Sequence, residues 1–326
     1  MKRLMIAFAA VAALSGAASA QDTKSLKGNI KIDGSSTVYP ITEAVAEEFK
    51  KAAPNVNVTV GISGTGGGFK RFSAGEIDIA DASRPIKKDE HETAATGKVE
   101  YIELPIAFDG LSIVINPKNT WVDKLSVDEL KKIFLADSAA KTWRDVRAEW
   151  PAEPIKIFSP GTDSGTFDYF KEVVAGKDKS IRSDMSVSED DNVLVRGVEG
   201  DKNAIGFFGV AYYEENKDKL KVVPIDNGKG AVTPTAQTIE DGTYAPFSRP
   251  LFIYVNKKSA ERPEVKAFID FYLKNAPALV TEVGYVKLPG SVYAAAGKNF
   301  ASGKAGTCFL DDKGEKVSGP VTKVYK

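Results

Sequence analysis

The sequence is short of the residues that most enzymes use for chemistry. In 326 residues it has one cysteine, Cys308, and one histidine, His91. A lone cysteine excludes an intramolecular disulfide, and one residue of each kind excludes a transition-metal site of nitrogen and sulfur ligands. His91 lies beside the polar stretch 87–90, which indicates a solvated helix face rather than the base of a serine–histidine–aspartate triad. No EF-hand pattern is present, and no cofactor is expected.

The sequence also lacks excess charge, and its N-terminal apolar run is short. Lysine and arginine number 44 and so do the acidic residues, which gives a formal charge of +0. No basic stretch stands out, so a nucleic-acid partner is not expected. The apolar run Leu4–Leu14 follows Lys2 and Arg3 and precedes Ala18-Ser19-Ala20. This pattern is typical of a secretory signal peptide, here 1–20, and it is too short for a membrane anchor.

What the sequence does contain is an α/β alternation. A hydrophobic content of 43% over this length predicts a substantial core, in two lobes rather than one. Helical spacing of Ile41, Val45 and Phe49 is one clear signal. Two long apolar segments, 99–116 and 249–255, indicate strands that pass between lobes, and the first is expected to break into two at Asp109-Gly110. Further helices are expected at 127–134, 166–174, 192–198 and 263–273, with strands at 55–61, 77–80, 155–158 and 204–208. The tail after residue 303 is polar and poorly patterned.

Three predicted strand–turn–helix junctions share small residues, hydroxyls and glycines. They are the segments 34–38, 63–68 and 162–166. A helix N-terminus has unpaired N–H groups and about half a positive charge, so it attracts anions. Ordinary N-capping would explain any one junction. Three of them, with Arg84 at the end of a strand near the second, favour an anion-binding site.

Enzymatic alternatives lack necessary parts. The tetrapeptide 163–166, Asp-Ser-Gly-Thr, matches that of aspartic proteases, but those enzymes share a proton between two such carboxylates and no second copy occurs. The turn 63–68 is not a dinucleotide fingerprint, because Phe69 occupies the last glycine position, and no Gly-Lys-Ser/Thr phosphate loop is present. The prediction is a binding protein rather than an enzyme, and an aspartic-type hydrolase is kept as the alternative.

The same junctions carry a family resemblance. The chain reads Asp-Gly-Ser-Ser-Thr-Val-Tyr-Pro at 33–40, Ser-Gly-Thr-Gly-Gly-Gly-Phe at 63–69 and Ala-Ser-Arg-Pro-Ile at 82–86. It resembles the phosphate-binding proteins of bacterial phosphate ABC transporters, the PstS family. The resemblance implies a periplasmic α/β protein of the type II binding-protein fold, each lobe a central sheet flanked by helices. Two crossing strands would form the hinge, one inorganic phosphate would lie in the cleft, and membrane permease subunits would be the partner.

The resemblance also implies boundaries and ligand contacts. Lobe I would comprise 25–110 and 251–326, lobe II would comprise 111–250, and the protein is expected to be a monomer. The phosphate donors carried over from the family, by side chain or backbone N–H, are Ser36, Thr37, Val38, Gly64, Thr65, Gly66, Ser164, Gly165 and Thr166.

Arg84 is expected to donate from the other lobe to the anion. The better-known pattern has an arginine before the third turn, where this chain has Pro160. A guanidinium fork suits two oxygens of a phosphate, so Arg84 is the predicted replacement. The alternative is a salt bridge from Arg84 to Asp78 or Asp81.

Selectivity needs a carboxylate. Phosphate near neutral pH carries a proton and sulfate does not, so an acceptor in a dry site would reject sulfate. The family's aspartate before Ala-Pro is absent here, and Asp109 is the predicted acceptor. Its alternative is a turn aspartate before glycine. Asp163 is expected to orient donors or cap locally. Arsenate is left open as an alternative ligand, since its size and protonation are close to those of phosphate.

Overall fold

The computed structural model describes residues 23–326, apart from residues 139, 163, 177 and 189. The predicted signal peptide and the predicted role of Asp163 therefore lie outside the described residues. The strands are β1 (Gly28–Gly34), β2 (Val56–Ile62), β3 (Ile79–Ala82), β4 (Tyr101–Ile115), β5 (Leu125–Ser126), β6 (Lys156–Ser159), β7 (Ser186–Val187), β8 (Ala204–Gly209), β9 (Lys221–Val222), β10 (Ile225–Asp226), β11 (Ala231–Val232) and β12 (Ser248–Asn256).

The helices alternate with these strands over most of the chain. They are α1 (Tyr39–Ala52), α2 (Gly64–Ser73), α3 (Lys88–Thr96), α4 (Val127–Phe134), α5 (Trp143–Val146), α6 (Gly165–Val174), α7 (Asp191–Gly200), α8 (Val210–Glu215), α9 (Ala236–Glu240), α10 (Pro263–Glu282), α11 (Gly290–Ala301) and α12 (Val321–Val324), with short 3₁₀ helices at Thr23–Ser25 and Ser259–Glu261. Among the described residues, no helix is both long enough and apolar enough to cross a membrane.

The main sheet places two parallel groups of strands on either side of an antiparallel centre. Its order is β2-β1-β3-β12-β4-β8-β6-β7, with β9 beside β4. β1 is parallel to β2 and β3, and β6 is parallel to β7 and β8. β12 and β4 run antiparallel to each other between the two groups. Ligands of such sheets bind at the carboxyl ends of the parallel strands, which here carry the predicted turns.

The long apolar segment 99–116 forms one strand rather than the two expected. β4 continues through Asp109 and Gly110, where it pairs with Arg249 and Ser248 of β12. Gly110 leaves room for the side chain of Ile239, whose Cδ1 would lie 2.5 Å from an added Cβ. Cross-strand pairing and this packing therefore override the turn tendency of Asp-Gly. After residue 110 the partner of β4 changes from β12 to β8, while the exact lobe boundaries stay a prediction.

Each parallel group is covered by helices that bury an aromatic face. In α1 the predicted face is confirmed, and Phe49 packs edge-on against Phe268 of α10 with 5.3 Å between ring centroids. On the other side, Phe170 of α6 stacks on Phe207 of β8 at 3.9 Å. Such pairs contribute about 0.5–1.5 kcal/mol beyond their buried area. Two separate aromatic clusters thus anchor the helices that deliver the turns.

The C-terminal part is more ordered than its composition suggests. α10 continues past the predicted end at residue 273 to Glu282, with Pro277 inside it. The polar tail still buries Phe309, Val321 and Tyr325. Tertiary packing therefore orders a segment whose apolar residues are too few to predict its structure from the sequence.

Asp81 is a buried carboxyl at the end of β3. Its side chain is 1% exposed, and neither carboxylate oxygen has a hydrogen-bond partner among the described residues. Burial raises the pKa of Asp81 to about 8. The carboxyl therefore stays protonated in the folded protein at pH values where it ionises in the unfolded chain.

We expect Asp81→Asn to flatten the pH dependence of stability. Because the folded-state pKa is raised, the wild-type protein loses stability as pH rises from about 4 through about 8. The variant should show a loss smaller by roughly 1–3 kcal/mol between pH 5 and 8.5, measured by urea unfolding. Asp137→Asn, a surface aspartate paired with Lys179, is the control. An unchanged pH slope in Asp81→Asn would contradict this explanation.

Candidate anion-binding site

A small cavity lies where the carboxyl ends of the two parallel groups face each other. Its volume is about 220 Å³. Residues from the first two turns, from the loop after β3, from α6 and from the start of β12 line it: Ser35, Ser36, Thr37, Gly64, Thr65, Gly66, Ser83, Arg84, Asp168, Tyr169, Glu172 and Arg249. Six of the predicted site residues are brought together here, namely Ser36, Thr37, Gly64, Thr65, Gly66 and Arg84.

The first turn, between β1 and α1, is held by main-chain bonds. The N–H of Ser35 donates to the carbonyl of Asp81 at 3.0 Å, and the N–H of Val38 donates to the carbonyl of Ser35 at 3.2 Å. The predicted donor Val38 is thus engaged within the turn and does not line the cavity. The hydroxyls of Ser36 and Thr37 remain at the cavity wall.

The second turn presents the N-terminus of α2. The first N–H groups of a helix have no partner within it, and Gly64, Thr65 and Gly66 line the cavity. Gly64 has φ +74, in the left-handed region that glycine tolerates. The Thr65 hydroxyl oxygen accepts from the N–H of Ser83 at 3.1 Å. That bond fixes the loop after β3 next to the helix end.

The third turn packs against the first rather than opening into the cavity. The hydroxyl oxygen of Ser164 accepts from the N–H of Thr166 at 3.2 Å, which is a local N-cap. The Thr37 hydroxyl donates to the carbonyl of Gly165 at 3.3 Å. Ser164, Gly165 and Thr166 are not among the lining residues. Instead α6 contributes Asp168, Tyr169 and Glu172, from its next turn.

Arg84 lines the cavity from the loop after β3. Its guanidinium donates to both carboxylate oxygens of Glu90 on α3, at 2.7 and 2.8 Å. The predicted alternative, a salt bridge from Arg84 to Asp78 or Asp81, is wrong. Asp78 pairs with Arg262 at 2.8 Å, and Asp81 has no hydrogen-bond partner in the described chain. These two hydrogen bonds to Glu90 hold the guanidinium at the cavity wall.

Arg249, at the start of β12, is a lining residue that the sequence analysis did not single out. Its guanidinium lies 3.7 Å from the ring centroid of Tyr169. It contacts Asp109 at 3.4 Å and Glu172 at 3.1 Å, and it donates to the Thr37 hydroxyl at 3.2 Å. A single side chain therefore bridges the hinge, α6 and the first turn.

Asp109 lies behind Arg249 rather than at the cavity wall. It is 3% exposed, and burial raises the pKa of Asp109 although the Arg249 guanidinium opposes that shift. The carboxylates that do line the cavity belong to Asp168 and Glu172. The Ser36 hydroxyl donates to Asp168 at 3.3 Å. The acceptor role of Asp109 stays a prediction that the geometry does not favour.

Some signals for the missed residues are present in the sequence. Asp168 and Glu172 are four positions apart, which places them on one face of a helix. Arg249 and Asp109 are charged residues in or beside long apolar strand segments, so each needs a partner, and pairing across two strands supplies one. Ser83 gives no such signal, because its contact with Thr65 depends on how the loop folds.

These features define a two-lobed binding-protein fold with a small polar cavity at the carboxyl ends of its parallel strands. A family model described as a PBP superfamily domain matches residues 15–276, and the chain belongs to that superfamily. The predicted fold class and the family resemblance are confirmed.

Similar proteins agree with this assignment. The chain is 52% identical to protein SphX of Synechococcus elongatus, over 89% of this chain and 86% of that protein. It is 45% identical to the phosphate-binding protein PstS of Staphylococcus haemolyticus, over 83% and 84% respectively.

Solved structures show the same architecture. A possible phosphate binding protein from Planctomyces limnophilus superposes with a TM-score of 0.83 and 50% identity, covering 86% of this chain and 100% of that one. An ABC-type phosphate transport receptor from Vibrio cholerae has a TM-score of 0.63 and 25% identity, covering 80% and 100%.

We expect Arg249→Met to destabilise the protein through Asp109. The variant leaves a buried carboxylate without its cation, which costs about 3 kcal/mol at neutral pH. Because the pKa of Asp109 then rises further, stability should recover as pH falls and the carboxyl protonates. Urea unfolding at pH 7 and pH 5 measures both effects. Adding Asp109→Asn should restore most of the loss at pH 7; a double variant as unstable as Arg249→Met would contradict the pairing.

Proposed function

We propose that this protein binds inorganic phosphate in the cleft between its lobes and delivers it to the permease of an ABC importer. The observation that carries the proposal is the 220 Å³ cavity where a helix N-terminus, hydroxyls and two guanidiniums converge. Pockets for drug-sized ligands begin at about 300 Å³, so this one suits a small ion. The PstS relative and the Vibrio cholerae receptor are both named for phosphate, which supports the same ligand.

Hydrogen bonds rather than net charge bind the ion. The donors are the hydroxyls of the first turn, the N-terminus of α2, and the guanidiniums of Arg84 and Arg249. Charge-assisted hydrogen bonds contribute about 1.5–3 kcal/mol each, and a few of them reach the roughly −8 kcal/mol of micromolar binding. Both guanidiniums already contact carboxylates, so the cleft carries little uncompensated positive charge. Ser164, Gly165, Thr166 and Val38 act by shaping the two turns that meet at Thr37.

Asp168 is the proton acceptor in this proposal. A carboxylate beside a bound anion repels that anion unless it accepts a hydrogen bond from a hydroxyl of the anion. Asp168 lines the cavity, whereas Asp109 is held against Arg249 and orients that guanidinium. Phosphate offers the proton and sulfate does not, so Asp168 favours phosphate. Arsenate carries the same protons and is the competing ligand.

Catalysis is not part of the proposed function. His91 lies away from the cleft, where its Nδ1 is 2.7 Å from the hydroxyl of Tyr101. At the cavity wall the Ser36 hydroxyl donates to Asp168 at 3.3 Å, and the proposal assigns this pair to ligand binding. The aspartic-type hydrolase is the alternative, and turnover of a peptide or phosphoester would support it.

Delivery follows from the position of the ligand between two lobes. Donors from both lobes make binding favour the closed state, and closure is the change that a permease would recognise. Both halves of the cleft belong to one chain, so a monomer is sufficient. The N-terminal segment 1–20 would direct export, which places the function in the periplasm.

Phosphate should stabilise the mature protein against heat, and equimolar sulfate should not. A ligand present at 100 times its Kd adds about 2.7 kcal/mol of stability, which differential scanning fluorimetry detects as a shift of several degrees. The panel includes arsenate and molybdate. Equal shifts with phosphate and sulfate would reject phosphate selectivity, and no shift with any oxyanion would reject the proposed function.

Asp168→Asn should narrow the preference for phosphate over sulfate. The neutral amide oxygen accepts a weaker hydrogen bond from the phosphate hydroxyl than the carboxylate does, and the amide no longer repels sulfate. The ratio of the two Kd values should therefore fall about tenfold or more. Isothermal titration calorimetry measures both affinities. Glu172→Gln, one helical turn away, is the control and should change the ratio little. If Asp109→Asn narrows the ratio and Asp168→Asn does not, the acceptor is Asp109.

A further inference from the structure

The polar tail forms a strap across lobe I. We define the C-terminal strap as residues 303–326. Its apolar residues Phe309, Val321 and Tyr325 are buried, at 4%, 2% and 3% exposure. The Phe309 ring packs edge-on against Phe252 of β12 at 5.2 Å. The strap is therefore packed into the core of the lobe, although the function proposed above gives it no role.

Glu103 is the buried group that the strap surrounds. This β4 residue is 3% exposed, and its carboxylate accepts from the Thr307 hydroxyl at 2.5 Å and from the N–H of Cys308 at 2.9 Å. The Tyr325 hydroxyl donates to the backbone carbonyl of Glu103 at 2.8 Å. A buried carboxylate is costly unless donors surround it. The strap supplies two of those donors.

The third donor to Glu103 connects the strap to the cleft. The Tyr254 hydroxyl donates to the Glu103 carboxylate at 2.8 Å and accepts from the N–H of Ile86 at 2.9 Å. Tyr254 is 0% exposed, and its ring packs against Phe69 at 4.9 Å. The Arg84 guanidinium lies 5.7 Å from the ring centroid of Phe69. Ile86 is two residues after Arg84, so the hydrogen-bond chain ends in the loop that lines the cavity.

We propose that the C-terminal strap positions the Arg84 loop for ligand binding, through Glu103 and Tyr254. The inference rests on the proposed function only for the identity of the ligand. Glu103 and Tyr254 are positioning residues, since neither lines the cavity.

The direction of each hydrogen bond explains why the contacts from the strap to Ile86 depend on one another. Ile86 can only donate its N–H, so the Tyr254 oxygen must accept there, and its proton points at Glu103. The Glu103 carboxylate can accept this hydrogen bond because Thr307 and Cys308 hold it in the required orientation. Loss of the strap donors frees the carboxylate, and the Tyr254 hydroxyl loses its fixed orientation. The N–H of Ile86, a buried residue, then has a less fixed acceptor.

Two variants of the mature protein test the series of hydrogen bonds at separate points. Tyr254→Phe removes the central hydroxyl, and Thr307→Val removes one strap donor with little change in shape. Hydrogen exchange of the ligand-free protein, followed by mass spectrometry on peptides covering 83–90, should be about tenfold faster in both variants. Phosphate Kd measured by calorimetry should rise about tenfold in Tyr254→Phe, the equivalent of one hydrogen bond.

Tyr293→Phe is the matched control. Its hydroxyl also donates from a mainly buried ring to β4, to the carbonyl of Ile106 at 2.8 Å, but it leads to no cavity residue. The control should lower the melting temperature while leaving phosphate Kd and the exchange of 83–90 within twofold of wild type. Equal changes in the control would show a general loss of stability and would overturn the proposal.

The remaining outcomes separate this inference from the proposed function. If Tyr254→Phe and Thr307→Val melt earlier but keep wild-type exchange at 83–90 and wild-type Kd, the strap is structural only. If the wild-type protein does not bind phosphate, the proposed function fails, while the exchange measurement still decides whether the strap holds the loop.

Discussion

The pairing of Arg249 with Asp109 is the contact around which the cleft is arranged. The two residues stand opposite each other on the central antiparallel strands. A buried carboxylate here would be too costly without a cation. The guanidinium that stabilises it also contacts Glu172 and Thr37. The same interaction therefore stabilises the hinge strands, joins α6 to the first turn and places a positive group at the cavity wall.

The rest of the site depends on backbone donors, which a small ion can approach only where side chains are absent. Gly64 at φ +74 begins α2, and an added Cβ on Gly68 would lie 2.7 Å from the Cα of Gly34. Close packing of α2 on β1 thus brings the N-terminus of the helix to the edge of the sheet. Carboxylates at the same wall limit the positive potential. In the proposed function, recognition of the anion therefore depends on hydrogen-bond geometry and proton content more than on attraction between opposite charges.

Much of the fold could be predicted, because periodicity and turn composition are local signals. The apolar spacing in α1 and the Gly-rich start of α2 were sufficient for those elements. Long-range contacts were not accessible in this way. The continuity of β4 through Asp109 depends on a partner strand some 140 residues away, as the Arg249–Asp109 contact shows. Likewise, Glu90 was not foreseen as the partner of Arg84, since the loop between them had no readable conformation.

By itself the sequence determined the class of the molecule. The three hydroxyl- and glycine-rich junctions and the α/β alternation are properties of short segments, whose conformation depends mainly on local interactions. Only the tertiary structure decided which residues face the cavity. Side-chain direction around the cavity depends on how the two groups of strands, the helices and the C-terminal strap pack together. That packing assigned Asp168 and Arg249 to the wall, placed Asp109 behind it, and turned a polar tail into a support for the Arg84 loop.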